Sequence, residues 1–413
     1  MWYTTIRHFV LLFLLLLTGL TNTQAQNNTH SPFSVIGIGE IEMRDFGRTA
    51  AMGNTGIGLQ SENFLNRRNP AALTRIDTLK FIIDVSAAFK LSEFKSGAKS
   101  HITNNFNFKT LAAGVRLSSK WTSSVGLKPV SSVGYNMKAQ QYEEGSVNTY
   151  KDFFSSGEGG INSFYWAHAY EFFNGFSLGA TVAYMFGNIT HNRNIDAMSE
   201  VTRLNISKLH FDLGMQYSYW FGDHTNVMVG AIYIPQSKFD IQPTKTVTSG
   251  MLVERNQRLP DTRSYMPESY GAGFAIMRNQ NNSEWIVSAD YQFSNRSVLG
   301  SRYSDSHLYT AGIQLTPNVR RPESYLQVIR FMLGGSYNRS YLTMKENQLE
   351  DYSLSVGAGF PFTTQFSTIS YVNVAITAGE SFLGGAGGIT ERYLLFSVNM
   401  SLIDRWFAKR QWD

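Results

Sequence analysis

The chain has no cysteine. Disulfides, thiolate metal sites, a cysteine nucleophile and a lipidated N-terminal cysteine are therefore excluded, and stability has to come from apolar burial and backbone pairing. Charge is scarce, with Asp, Glu, Lys and Arg together only 16% of 413 residues. The 36 Lys and Arg against 31 Asp and Glu are too mild an excess for a nucleic-acid surface. After the first residues no apolar run approaches the roughly 20 residues that a spanning helix needs. A serine elbow, a phosphate loop and histidines paired at helical spacing are also missing, so nothing calls for catalysis, a metal or a cofactor. What is plentiful is Phe and Tyr, which with Trp make up 14% of the chain, together with 35 glycines. Low charge with many aromatics and glycines fits an all-β membrane barrel rather than a disordered chain.

Residues 1–8 carry Arg7, residues 9–17 are an unbroken apolar run, and Thr23 and Ala25 are small residues placed for cleavage before Gln26. Residues 1–25 are thus expected to be a cleaved secretory signal peptide. Its removal takes away only Arg7, leaving 35 basic against 31 acidic residues, a net of +4. Residues 26–78 have no sustained period and are too apolar for a linker. Near their end, Asn69-Pro70-Ala71-Ala72-Leu73 predicts a short helical turn, with Asn69 as cap and Pro70 in the first position, where its missing N–H costs nothing. A compact segment inside a lumen satisfies both features, and so does a small periplasmic subdomain.

From residue 79 onward the pattern changes to a period of two. In the last regular stretch, 392–402, Leu394, Phe396, Val398, Met400 and Leu402 form one row, and Tyr393, Ser397, Asn399 and Ser401 the other. In the sixth such stretch Leu209, Phe211, Leu213, Met215, Tyr217 and Tyr219 oppose His210, Asp212, Gly214, Gln216 and Ser218. About fourteen strands are expected, near 81–91, 105–118, 121–137, 161–172, 176–188, 208–221, 227–239, 268–277, 284–294, 307–315, 329–341, 351–360, 367–377 and 392–402. Links are short near Ser119, Asn174, Asp223, Asn281 and Thr363, and long and polar near Glu143, Asn194 and Thr246. Short turns on one rim and long loops on the other mark an outer-membrane barrel, with the short turns periplasmic. The link at 316–327 departs from that rule. An even strand count places both chain ends, including a basic tail at 403–413, on the periplasmic side. Trp121, Trp220, Trp285 and Trp406 all fall at the short-turn rim, where an indole buries its ring and keeps its N–H wet. Trp166 falls mid-strand and is not explained this way.

Two features stand out within the strands. Pro129 interrupts the third strand, followed by Ser131, Ser132 and Gly134. In a closed wall a proline costs a ladder bond, so a bulge is expected, either as a structural kink or as a lateral gap toward the membrane. His210, Asp212 and Gln216 share the inward face of one strand, where polar side chains are expected to satisfy one another.

The irregular N-terminal segment ending in Asn69-Pro70-Ala71, the interrupted strand at Leu127-Lys128-Pro129-Val130-Ser131, and Leu259-Pro260 followed by Pro267 and Ser269 before Gly271 resemble the FadL-like outer-membrane transport proteins. From Ser31-Pro32-Phe33 to Asp404-Arg405-Trp406-Phe407-Ala408-Lys409-Arg410, the chain looks like the members found in Bacteroidota. The resemblance implies a transmembrane antiparallel β-barrel of about 14 strands over 79–402, with an N-terminal hatch over 26–78 in its lumen. It makes Asn69, Pro70 and Ala71 hatch residues and puts a lateral gap at Pro129, Ser131, Ser132 and Gly134. It also implies passive uptake of hydrophobic small molecules as ligands, through a hatch-gated lumen and the lateral gap, with the lipid bilayer as partner. Similar PorV-like barrels serve protein secretion, so the alternative is a non-transporting subunit of an outer-membrane secretion or assembly complex, with envelope protein partners.

Overall fold

A computed structural model of the protein describes residues 29–35, 37–42, 47–142, 150–196, 198–249, 252–258, 264–296, 304–344, 347–363, 368–385 and 388–405. The expected signal peptide, Leu259-Pro260, and the tail from Trp406 onward lie outside the described residues.

Alternation of apolar and polar side chains generates the wall. Its first seven strands are β2 (Lys80–Ser96), β3 (Lys99–Arg116), β4 (Trp121–Tyr142), β5 (Tyr150–Phe173), β6 (Phe176–Ile195), β7 (Met198–Phe221) and β8 (Thr225–Ile234), preceded by a two-residue β1 (Glu40–Ile41). Next come β9 (Ser237–Ser249), β10 (Leu252–Arg258) and β11 (Ser264–Met266). The last seven wall strands are β12 (Glu268–Gln280), β13 (Ser283–Asn295), β14 (Ser306–Thr316), β15 (Arg330–Met344), β16 (Asn347–Thr363), β17 (Ile369–Leu383) and β18 (Ile389–Arg405). Each pairs antiparallel with its neighbour, β8 pairs with β12, and β18 closes on β2 from Arg405↔Lys80 to Thr390↔Lys95. The result is a closed barrel of fourteen strands, and each strand expected from alternation is among them.

The faces sort as expected. On β7, Leu209, Phe211, Leu213 and Met215 are exposed on the outside, while His210 and Gln216 are buried inside. Trp121, Trp220 and Trp285 sit at strand ends beside short turns. Trp166 also faces outward, and its indole N–H is satisfied by donating to Ser123 Oγ on the neighbouring strand at 2.9 Å.

The long connections differ from the expectation. β5 and β7 are each 24 residues, about 80 Å of strand where a tilted crossing needs about 9–11 residues. The link near Asn194 is a tight hairpin of two continuing strands. The link near Thr246 is the β9–β10 hairpin, which resumes pairing with β7 after Pro235 interrupts the wall strand. Past the bilayer the outer face of a strand is wet, so the regular apolar row stops while the hydrogen-bonded ladder goes on, with Ile189, Ile206, Phe239 and Ile241 still packed inward.

Candidate functional site

The lumen holds the N-terminal segment. Asn69 caps a 3-10 turn over Pro70–Arg75 by accepting from Ala71 N at 3.0 Å, with Pro70 at its start. Asn69 also donates to Ile57 O at 2.8 Å and across to Met215 O on β7 at 3.0 Å. A four-residue helix α1 (Arg48–Ala51) lies against β15, β16 and β17. Asn69, Pro70 and Ala71 are all buried.

The wall makes room for this segment with glycine. A Cβ at Gly179 or Gly214 would run into Pro70, one at Gly230 into Ile57, one at Gly273 into Gly58, and one at Gly312 or Gly334 into Met52. Five strands thus let backbone meet backbone, and β7 lets its backbone meet the Asn69 and Pro70 side chains at Gly214. Polar groups then tie the two together. The Asp290 carboxylate on β13 accepts the N–H groups of Gly56 at 2.5 Å, Ile57 at 2.8 Å and Gly58 at 3.4 Å. Asp84 on β2 accepts from Leu65 N at 2.7 Å. Arg48 donates to Gln314 at 2.6 Å, Thr55 pairs with Ser288 at 2.7 Å, and Thr74 pairs with Ser177 at 2.7 Å. Gln216, one of the inward polar residues, donates to Gly58 O at 2.7 Å. His210 Nε2 and Asp212 Oδ1 are 2.9 Å apart, and His210 Nδ1 lies 2.6 Å from Ser237 Oγ.

Asp290, Asp84 and the wall glycines were not singled out by sequence reasoning. The available signal was an acid standing alone in the inward row of a membrane strand, which is expensive unless it has a partner.

The wall itself is incomplete along one seam. The β3–β4 ladder runs for six pairs, from Arg116↔Thr122 to Leu111↔Leu127, and stops. Above it β3 continues against β2, and β4 continues against β5. The β4–β5 register slips between Pro129 and Ser131, the bulge that a proline in a wall strand requires. Residues 29–35 and 37–42 enter the seam. β1 pairs with Ser131 and Ser132, Glu42 N donates to Val130 O at 2.9 Å, and Ser31 N donates to Gly134 O at 2.8 Å. Toward β3 the same segment offers side chains: Glu42 pairs with Lys109, and His30 Nδ1 lies 2.6 Å from Asn105 Oδ1. Pro129, Ser131, Ser132 and Gly134 therefore all lie along this seam. The chain's first described residues are in the half of the barrel toward the long connections, and the segment descends from there to β2.

A cavity of about 140 Å³ lies inside the seam. Its lining includes Glu42, Lys90, Asn105, Lys109, Asp351 and Glu391, with Lys90 Nζ 2.6 Å from Glu391 Oε1. Phe33, Ile41, Leu308, Leu342, Leu349 and Leu395 line it as well, so paired charges and apolar side chains share the cavity about equally.

The sequence profile of the family described as BamG matches residues 5–413. The chain belongs to the BamG family. No curated protein matches by sequence. Among solved structures, the fold of this BamG-family chain is shared with the Ralstonia pickettii toluene transporter TbuX, at 15% identity and a TM-score of 0.59 over 87% of this chain and 98% of that one. The Pseudomonas putida toluene transporter TodX gives 16% identity and 0.59, again over 87% and 98%. A Pseudomonas aeruginosa FadL homologue gives 10% identity and 0.58 over 88% and 99%. These identities are low enough that they speak for the fold alone. The fold implied by the FadL-like resemblance is met: this BamG-family chain is a closed antiparallel β-barrel of fourteen strands, shared with these outer-membrane-type barrels.

Proposed function

We propose that this protein is a non-transporting barrel subunit of an outer-membrane protein secretion or assembly complex. The observation that carries this reading is the bolted lumen. Among the described residues, at least fourteen hydrogen bonds join residues 48–76 to the wall. Withdrawing the segment has to break these bonds together and leave buried wall groups to find other partners, which suits a scaffold better than a passive gate. In this role Asn69, Pro70 and Ala71 belong to a fixed plug, both ends of the wall at Lys80 and Arg405 face the periplasm, and the partners are other envelope proteins. Extraction of the native protein in mild detergent tests it: stable recovery with other envelope proteins is expected. A barrel recovered alone that carries toluene into vesicles above the protein-free background would reverse it.

A second reading, passive uptake of hydrophobic small molecules, is favoured by the seam at Pro129 and by the shared fold. Here Pro129, Ser131, Ser132 and Gly134 form a lateral gap to the bilayer. A Pro129→Ala variant that lets β4 straighten should then slow toluene uptake without unfolding the barrel, and unchanged uptake rejects this route.

A further inference from the structure

On the rim that carries the short turns, β5 joins β6 and β12 joins β13 through two-residue turns, whereas β14 and β15 are joined by residues 317–329. That connection is ordered by its own side chains. Asn318 Nδ2 donates to Arg321 O at 2.7 Å, while Asn318 Oδ1 accepts from Arg320 N at 3.2 Å and Arg321 N at 2.9 Å. Gln327 Oε1 accepts from Glu323 N at 2.8 Å, and Asn318 N donates to Gln327 O at 2.8 Å, closing the base of the loop. Two tethers hold it along the rim: Val319 N donates to Asn282 O at 2.8 Å, and Tyr325 Oη donates to Pro361 O at 2.9 Å. A 3-10 turn over Tyr325–Val328 presents Leu326, which is 68% exposed, and Arg320, Arg321 and Glu323 are exposed in the same loop, leaving it net basic.

We propose that this loop is the docking site for a folded, water-soluble envelope protein with an acidic surface around an apolar socket. The proposal rests on the subunit reading above and names the face and the chemistry of one partner. Leu326 would fill the socket, and the adjacent guanidinium groups would engage carboxylates as planar forks. Fixing the loop in advance lowers the ordering cost of association, and Arg and Tyr are residue types enriched at protein interfaces. A lipid anchor has no need of a bracketed backbone, and the Trp residues at the strand ends already supply one on this rim.

A photocrosslinker tests this on the full chain in native membranes. With Leu326→benzoylphenylalanine, the expected result is an adduct with one soluble envelope protein, attached within a few residues of an Asp or Glu. Arg320→Glu with Arg321→Glu should reduce its yield at least tenfold. Arg320→Lys with Arg321→Lys should retain most of it, and both variants should keep the heat-modifiable gel mobility of a folded barrel. The crosslinker moved to Asn174, in a two-residue turn on the same rim, should not capture that protein. Adducts with lipid only, equal capture from Asn174, or indifference to charge reversal would each overturn the proposal. If the charge-reversed chain still copurifies with all the partners of the wild type, the loop assignment fails and the subunit reading stands. If the wild type is recovered alone, both fail.

Discussion

Asp290 is the residue on which the plug depends most directly. One carboxylate receives three consecutive backbone N–H groups from residues 56–58, and hydrogen bonds to a charged group are the stronger kind. Asp290→Ala leaves those donors buried without an acceptor, at a cost on the order of 3 kcal/mol or more. The expected outcome is a lower unfolding temperature, with proteolytic cuts in residues 47–76 while the wall strands stay protected. Gly230 makes the opposite case, since its position is defined by space. A side chain there meets Ile57 O, so Gly230→Val should displace the plug or block folding. Ala231→Val, one residue on and facing outward, should leave the unfolding temperature within about one degree, because surface changes of this kind usually stay within about 0.5 kcal/mol.

At the level of elements, β9 and the N-terminal segment depend on each other. Phe239 and Ile241 of β9 are buried with Val133 and Ile161 of the wall, and Val35 and Ile38 of the N-terminal segment pack against the same cluster. Phe239→Ala should cost roughly 3–5 kcal/mol and loosen residues 29–35 and 37–42 in the seam, read as faster hydrogen exchange there than at the 3-10 turn of residues 70–75. Little of this element was legible in advance. On the outer stretches of β6 and β7 the apolar residues Ile189 and Ile206 stand among polar ones, and on β9 only Phe239 and Ile241 alternate with polar residues before the row gives out. The runs are therefore too short to read, and Pro235 marks the break without saying that pairing resumes beyond it. The bulge at Pro129, by contrast, was readable, because a residue without an N–H cannot sit in an uninterrupted ladder.

For the whole molecule the division is between a wall and what fills it. Deleting residues 29–78 should turn the barrel into an aqueous pore, because serine, threonine, asparagine and glycine recur along the inner wall left behind, between apolar residues such as Met228 and Ile286. Single-channel conductance in planar bilayers checks this, with the intact chain staying at background. Strand number, the lipid-facing rows, the aromatic rim and the capped turn at Asn69 were all set by the sequence by itself. Each depends on residues at most a few positions apart, where side-chain alternation, turn chemistry and proline's missing donor act locally. Tertiary structure alone decided that Asp290 would hold residues 56–58, that Gln314 would meet Arg48, and that residues 29–35 and 37–42 would enter the seam between β3 and β4. Those partners are up to a few hundred residues apart along the chain. No local pattern encodes which inward-facing group will lie opposite which, because that depends on how the closed wall is filled.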